Sequence, residues 1–524
     1  MTVTPATSEP PSAASVPPQT ETPKQQVQSA VLQPYAGNDI TTIVLDPGSY
    51  NTRIGFAGTD HPVDISSSLY AFDASTPENL LFEDQRINYP KPGREVRSLL
   101  KNGLIQDFDI FAHKVKFLMK NKLGIEKTTK TIQASSDEND EDQMETELEG
   151  YNNLPMILTE PIWNPKENRV KSIEMVLESL KFEAIYLLPQ QSSVSFAMGK
   201  PNCLVVELGH DSCSVSPVFD GFTLSSKHRR SYLNGKLLTE LLTSKIKEKA
   251  KKLESVNDTI DLLCNFEVKA KNTAQPKINK IEGLTQSFRD NYNERFFIQE
   301  CKELLLQSRT NLTAPIPNSA TNPPARSIES PWGENIVFTE EERFDLVDQL
   351  FSPDLANPVI KQWNDDHKEV YPPCHNDYMP LKRNTNNSTT GEEKNENEPE
   401  VENPELENKL SDNLKGLVDL IQHCIETVDV DFRPVLTNNI IVTGGLSYIP
   451  GLITAIQLEL TKRLPSFKIK IVTQGNSAMT KERMYHTWLG GSILGSLGSF
   501  QQLYVGREEL AEVGVDRLLK ARFR

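Results

Sequence analysis

The apolar positions along this chain change period several times, and each change marks an element. From Thr41 the run TTIVLD is short, rich in β-formers and ends in an acid; PGSYN follows as a turn, and TRIGFAG resumes as a second strand. This spacing predicts a strand–turn–strand hairpin with Asp46 at the end of its first arm. The design returns at 203–221 as NCLVVE, LGHD and SCSVSPVFDG, with Glu207 in the position of Asp46. Two such hairpins in one chain predict two related halves that face each other. Between them the period becomes helical: Asn164 reads as an N-cap, Pro165 as the first helical residue and Glu167 as the capping-box acid, with Val170, Ile173, Val176, Leu177 and Leu180 on one face. Further helices are predicted at about 233–252, 294–307, 412–428 and 451–464. Ahead of the last, NNIIVTGGLSYIPG reads as a buried strand ending in Gly444-Gly445. Strand, glycine turn and helix in that order let a backbone approach a ligand closely.

Other stretches carry no such period. Residues 1–38 are rich in Pro, Ser and Thr and read as a disordered tail. Residues 134–150 hold eight acids and no base, and residues 391–408 hold eight acids and one base, which together account for nearly all of the net charge of −16. The acidity therefore belongs to inserts, at about 127–150 and 355–408, and is not a field over the fold. They read as disordered, solvated spacers, with histones or nucleosomes as the alternative contact. No apolar run reaches the length of a membrane span, and the N-terminus lacks the charged and apolar regions of a secretory signal. Six scattered cysteines, with no CxxC pair and no nearby His at zinc spacing, fit a reduced intracellular protein.

A phosphate chain with its metal needs backbone N–H groups in tight turns and carboxylates near the waters of a magnesium ion. Each hairpin offers both. The first supplies Gly48, the Ser49 hydroxyl and the cation Arg53; the second supplies Gly209 with Asp211 close behind. Asp46 and Glu207 are the two acids expected to face each other across a cleft and order water around Mg²⁺. One such turn is most simply a β-hairpin and no more; two, followed by a strand, a glycine pair and a helix, follow the order shared by actins, sugar kinases and heat-shock chaperone ATPase domains.

Longer segments make the resemblance specific. LTEPIWNPKENR (158–169), VTGGLSYIPG (442–451) and WLGGSILGSLGSFQQLYVGREELAEVGVDRLL (488–519) resemble actin, and the chain is similar to actin from Thr41 to Arg524 apart from its inserts. Three further segments, ARSIESPWGENIVF (325–338), NDYMPLKR (376–383) and VVELGHDSCSVSP (205–217), resemble the nuclear members of the actin-related protein family. The resemblance implies an α/β actin fold: two related halves, four subdomains in all, around a central nucleotide cleft. The first half would comprise 39–188 and 489–524, and the second 189–488. It implies ATP and Mg²⁺ as cofactors. Asp46, Gly48, Ser49, Tyr50, Arg53, Glu207, Gly209, His210, Asp211 and Gly235 would lie on the phosphate side, and Lys302, Glu303, Gly444, Gly445 and Met484 on the purine side. Gln190 falls where actin places a water-orienting glutamine; a helix-surface glutamine is the other reading.

The departures from actin are chemical. Tyr50 stands for a glycine, Arg53 for a lysine, Glu207 and His210 for aspartates, Met484 for a lysine, and Ser214 for the histidine that assists hydrolysis. The expected outcome is retained binding with weakened catalysis, since binding rests on backbone amides while phosphoryl transfer depends on an oriented water. Residues 60–103 do not resemble actin's self-association loop, and apolar residues there such as Leu80 and Leu81 read as local core. For partners, the resemblance implies actin and a long helix of a scaffold subunit, within nuclear remodelling and histone acetyltransferase complexes, and no membrane. The helix-accepting groove would contain Phe196, Ala197, Gly199, Leu494 and Leu497, with core packing as the other reading of the two leucines. A polymerising cytoskeletal ATPase and a small-molecule kinase are the competing functions.

Overall fold

A computed structural model describes residues 41–133, 145–252, 262–271, 277–279, 281–312, 325–367, 412–472 and 481–523. The first 38 residues, the segment 376–383 and the acidic stretch 391–408 lie outside the described residues.

Two six-stranded sheets organise the chain. In the first, Ile43–Pro47 pairs antiparallel with Asn51–Phe56 and parallel with Pro155–Glu160, which pairs parallel with Ala184–Pro189. In the second, Cys203–Leu208 pairs antiparallel with Cys213–Phe219 and parallel with Ile440–Thr443. Both predicted hairpins are therefore present, and each sits beside a parallel strand. Strands buried on both faces read as continuous apolar runs, and every residue of Ile43–Pro47, Pro155–Glu160 and Ile440–Thr443 is buried. Separate cores back the two sheets. Ile43, Leu45 and Ile54 pack with Phe111 and Val115 in the first, and Leu204, Val206 and Val215 pack with Leu237 and Leu241 in the second.

Helices Gln190–Ala197 and His486–Gly495 pack against one another between the sheets. The small residues of the second helix make this possible. A Cβ on Gly490 would stand 1.8 Å from the Ser193 carbonyl oxygen, and one on Gly491 would stand 2.9 Å from Val44 Cγ1. The other helices fall near their expected places, at Gly235–Lys252, Gln299–Leu305, Leu417–Thr427 and Leu452–Arg463.

Three details differ from the sequence reading. Pro165, and not Asn164, occupies the N-cap of Lys166–Glu174; the Asn164 amide instead donates to Glu160 Oε2 at 2.8 Å. That helix continues as a π-turn over Met175–Ser179, which keeps Met175, Val176 and Leu177 in the core. The arms of the first acidic insert, read as disordered, pair as a two-stranded antiparallel ribbon, Thr128–Gln133 with Glu145–Gly150. Among the described residues no helix is long and apolar enough to cross a membrane.

Candidate nucleotide-binding cleft

Both hairpin turns are closed by the same backbone bond. Gly48 N–H donates to the Asn51 carbonyl at 3.1 Å, and Gly209 N–H donates to the Ser212 carbonyl at 3.0 Å. A Cβ at either glycine would come within 2.8 Å and 2.7 Å of those same carbonyl oxygens, so the sequence admits only glycine without a shift. The second turn also seats a helix: Gly235 N–H donates to the Gly209 carbonyl and Lys236 N–H to that of His210.

The acids at the two turns have different surroundings. Asp46 is 1 % exposed; Arg53 Nη1 donates to its Oδ2 at 2.8 Å and the Thr159 hydroxyl to its Oδ1 at 2.6 Å. Glu207 has no cation partner among its described contacts. Gln191 Nε2 donates to its Oε2 at 2.7 Å, and the Ser214 hydroxyl donates to the same oxygen at 2.9 Å. Burial raises its pKa above the ordinary value, the bonds from Ser214 and Gln191 oppose that rise, and the charge of Asp46 adds to it. Asp46 and Glu207 thus sense each other between the two sheets.

Asp211 ties the halves together. Its Oδ2 accepts from Asn102 N–H at 3.1 Å, and Asn102 in turn offers its carbonyl to Trp163 Nε1. The Ser49 hydroxyl accepts from Gly103 N–H at 3.2 Å and also bonds Asp211. Tyr50 and His210, one from each turn, are in ring contact at 5.1 Å between centroids. The Arg295 guanidinium lies 4.4 Å over the Tyr50 ring and donates to the Tyr50 carbonyl at 2.8 Å. Burial, and then the nearby charges of Lys302, Lys236 and Arg295, push the pKa of His210 down to about 3. The ring is therefore neutral at pH 7, and its approaches of 3.7 Å to Asp211 and 3.5 Å to Glu294 are not ion pairs.

Of the residues the resemblance assigns to a purine, Lys302 is buried and donates to the Thr239 hydroxyl at 2.9 Å, whereas Glu303 is exposed and accepts from Gln299. Gly444 has φ +92°, and a Cβ there would lie 2.4 Å from the Leu208 carbonyl oxygen. A Cβ at Gly445 would meet nothing within 4 Å. The tight glycine sets the turn, and the second stands in open space. Gly444 N–H donates to the Arg483 carbonyl, which places half-buried Met484 beside the turn.

Two residues stand differently from the sequence reading. Gln191, which the sequence reading passed over, is fully buried and bonds Glu207, while half-buried Gln190 opens its helix. The signal for Gln191 was weak, because two adjacent glutamines at a strand–helix junction give no hint of which one turns inward. Leu494 is 4 % exposed and packs with Val44, Ile157 and Trp488, so it is a core residue and not a surface anchor. Ala197 is buried in the same cluster. Phe196 and Leu497, at 42 % and 47 % exposed, and Gly199 remain on the surface.

The residues present fit Mg·ATP. Two glycine turns, an open glycine and a buried acid without a cation are what a phosphate chain with a divalent ion requires. Among the described residues no cluster of three or more His, Cys, Asp or Glu forms a metal cage. Magnesium at phosphate sites is held by one or two carboxylates with waters and phosphate oxygens, and Asp46 and Glu207 are the residues that would take that part.

Comparison with known proteins agrees with this architecture. The actin family model matches residues 37–523. A protein named actin-related protein 4 from Eremothecium gossypii is 37 % identical over 521 residues, covering 95 % of this chain and 100 % of the relative. Its namesake from Saccharomyces cerevisiae is 36 % identical over 530 residues, with the same coverage. One from Schizosaccharomyces pombe is 31 % identical over 490 residues, covering 92 % of this chain and 97 % of the relative. With a family match over most of its length and relatives of this kind, the chain belongs to the actin family, alongside the proteins named actin-related protein 4.

Proposed function

We propose that this chain holds Mg·ATP between its two hairpins as a structural ligand, hydrolyses it poorly and does not polymerise. The observation that carries the reading is the triangle of Glu207, Ser214 and Gln191. The acid is buried without a cation, which suits it to order the waters of a magnesium ion. The group paired across the strand from it is a hydroxyl that donates to the acid, at the position where the resemblance to actin places an imidazole that handles a proton. A positioned general base contributes about 10²–10⁴-fold to a rate, and its loss would slow hydrolysis by a comparable factor while leaving binding to backbone amides. The phosphates would be received by the amides of the Gly48 and Gly209 turns and the base by the Gly444-Gly445 turn, with Lys302 and Met484 alongside. The Mg²⁺ ion bound with ATP would supply the positive charge that Glu207 lacks among its described contacts.

The wider role rests on the resemblance of segments 205–217, 325–338 and 376–383 to nuclear members of the family. On that basis the chain is a nuclear subunit of chromatin-remodelling and histone acetyltransferase complexes, pairing with actin on a scaffold helix. Exposed Phe196 and Leu497 are the groove residues available to such a helix.

The test is direct. Denaturing the purified full chain and separating the released nucleotide by anion exchange should yield mostly ATP, near one per chain. Mostly ADP, or no nucleotide, would overturn the reading. A Phe196→Asp variant should lose binding to the scaffold helix while its melting temperature stays within about 1 °C, as for a surface substitution.

A further inference from the structure

The large apolar side chains left exposed among the described residues are not spread evenly. Five of them, Phe196, Phe222, Ile493, Leu497 and Leu503, belong to elements that touch one another. Helix Gln190–Ala197 packs on helix His486–Gly495 and on the short strand Phe222–Thr223. The Phe196 ring lies over Gly221, where a Cβ would stand 3.2 Å from its Cζ, and the Ser192 and Thr223 hydroxyls are bonded at 2.9 Å. Phe222 is 73 % exposed, the most of any large apolar residue among those described. Ile493 and Leu497 flank Gly495 at the end of the second helix, and the 3₁₀ helix Gly498–Leu503 that follows carries Leu503. Apolar side chains exposed singly need no explanation, whereas a group on adjoining elements marks a surface that something covers.

The first strand enters the fold beside this patch. Thr42 offers its carbonyl to Ala57 N–H, its hydroxyl lies 3.2 Å from that of Tyr504, and a Cβ on Gly495 would stand 3.3 Å from its Cγ2. Thr42 therefore lies against the helix end that carries Ile493 and Leu497. Forty residues precede Thr41. Residues 25–38 (QQVQSAVLQPYAGN) hold no charged side chain, in a chain of which charged residues make up 24 %. They gather Val27, Ala30, Val31, Leu32 and Tyr35 within nine positions, whereas residues 4–24 have Val16 as their single large aliphatic or aromatic side chain. The apolar part of the tail is thus the part nearest the patch.

We propose that residues 27–35 lie on the patch formed by Phe196, Phe222, Ile493 and Leu497 of the same chain, as an occupant that any helix binding there must displace. The reach is sufficient, since the six residue steps from Tyr35 to Thr41 span up to about 20 Å. The contact needs no charge on either side, because removal of apolar area from water drives it. Tethering makes even a weak contact effective. A short flexible linker gives an effective concentration of about 1 mM, so an intrinsic dissociation constant of about 0.1 mM leaves the patch covered about nine-tenths of the time. The inference needs no nucleotide. It shares the groove with the reading of a scaffold helix and goes beyond it by naming a competitor within the chain.

Two measurements on the full chain test this. Benzoylphenylalanine in place of Leu497, activated by light, should crosslink within one chain to the peptide that contains residues 27–35. Crosslinks to any other part of the chain, or none, would overturn the proposal, and a crosslinked dimer would give the patch to a second copy instead. In the other measurement a fluorescent peptide of residues 25–38 is titrated against wild type and against Val31→Asp/Leu32→Asp. Apparent affinity falls by the fraction of time that a site is open, so the variant should bind the peptide about tenfold more tightly than wild type. Phe196→Asp added to the variant should remove that binding, and Leu497→Asp serves in its place if Phe196→Asp does not fold. Equal binding by wild type and variant, no binding by the variant, or binding that survives the patch substitution would overturn the proposal. Neither measurement uses nucleotide or a scaffold helix, so the proposal can fail while the readings of the cleft and of the scaffold stand.

Discussion

The two hairpins share a turn and differ in charge. Around Gly48 and Gly209 the backbone closes in the same way, with the glycine amide bonded to the carbonyl three residues on. The acids before them are solved differently. Asp46 has its cation within the same hairpin, since strand pairing sets Arg53 directly across from it. Glu207 sits across from Ser214 in the equivalent register, so the residue opposite is a hydroxyl. One half therefore pairs its acid with a cation seven residues on, and the other leaves a buried acid with no cation among its described contacts. The lesson is that two hairpins of one design can leave their acids in different electrostatic states, one paired with a cation and one held by hydroxyl and amide donors alone.

The comparison can be broken by substitution. Arg53→Met should have the largest effect, because it strands a buried aspartate; removing one partner of a buried pair costs about 3–5 kcal/mol, and most of this should return in the Asp46→Asn/Arg53→Met double variant. Denaturant unfolding of the four proteins checks the cycle. Next in size, Gly48→Ala and Gly209→Ala should each destabilise by about 1–3 kcal/mol, the ordinary cost of overpacking. Similar losses by chemical denaturation would confirm that the turns are equivalent even though the acids are not. Glu207→Gln, in protein free of metal and nucleotide, should change stability by no more than about 1 kcal/mol, because an amide keeps an acceptor for Ser214 and sheds the buried charge.

The smallest effect is a pH slope. Glu207 is held above the ordinary value of 4.5 first by burial. As pH rises, the unfolded chain loses this proton before the folded one does. The contribution of Glu207 to stability is therefore full below about pH 4.5 and is lost as pH rises through the folded value. Melting curves in EDTA should show wild type losing ground to Glu207→Gln as pH increases from 4.5. A constant difference would mean that Glu207 titrates as an exposed acid does.

The hairpins were legible because short runs of β-formers, glycine turns and a strand-ending acid are local signals. Their close contacts were partly legible: Tyr50 and His210 were singled out, but their ring contact joins residues 160 apart in number, which no local pattern reports. Leu494 had two readings, groove and core, and the fold decides for the core. It lies on a helix whose Gly490 and Gly491 press against Ser193 and Val44, and this close approach buries a leucine that spacing alone leaves ambiguous. Gln191 and Phe288 were missed for a shared reason. Each meets its partners beyond its own element, Gln191 at Glu207 of the strand that follows its helix and Phe288 at a sheet about 200 residues earlier in the other half. Leu81, read as local core, turns out to pack against the small core around Phe288, while Leu80 packs with the main core of the first half.

The central claim is that Glu207 is the acid completed by magnesium when ATP is bound. It is tested by melting wild type and Glu207→Gln, both freed of metal and nucleotide, with ATP plus EDTA and with ATP plus Mg²⁺. A ligand at 1,000 times its dissociation constant stabilises by about 4 kcal/mol, so a rise of several degrees is within reach. The account predicts that Mg²⁺ adds such a rise to wild type beyond that of ATP alone, and that Glu207→Gln loses most of the added increment. No increment in wild type, or an equal one in both proteins, would contradict it.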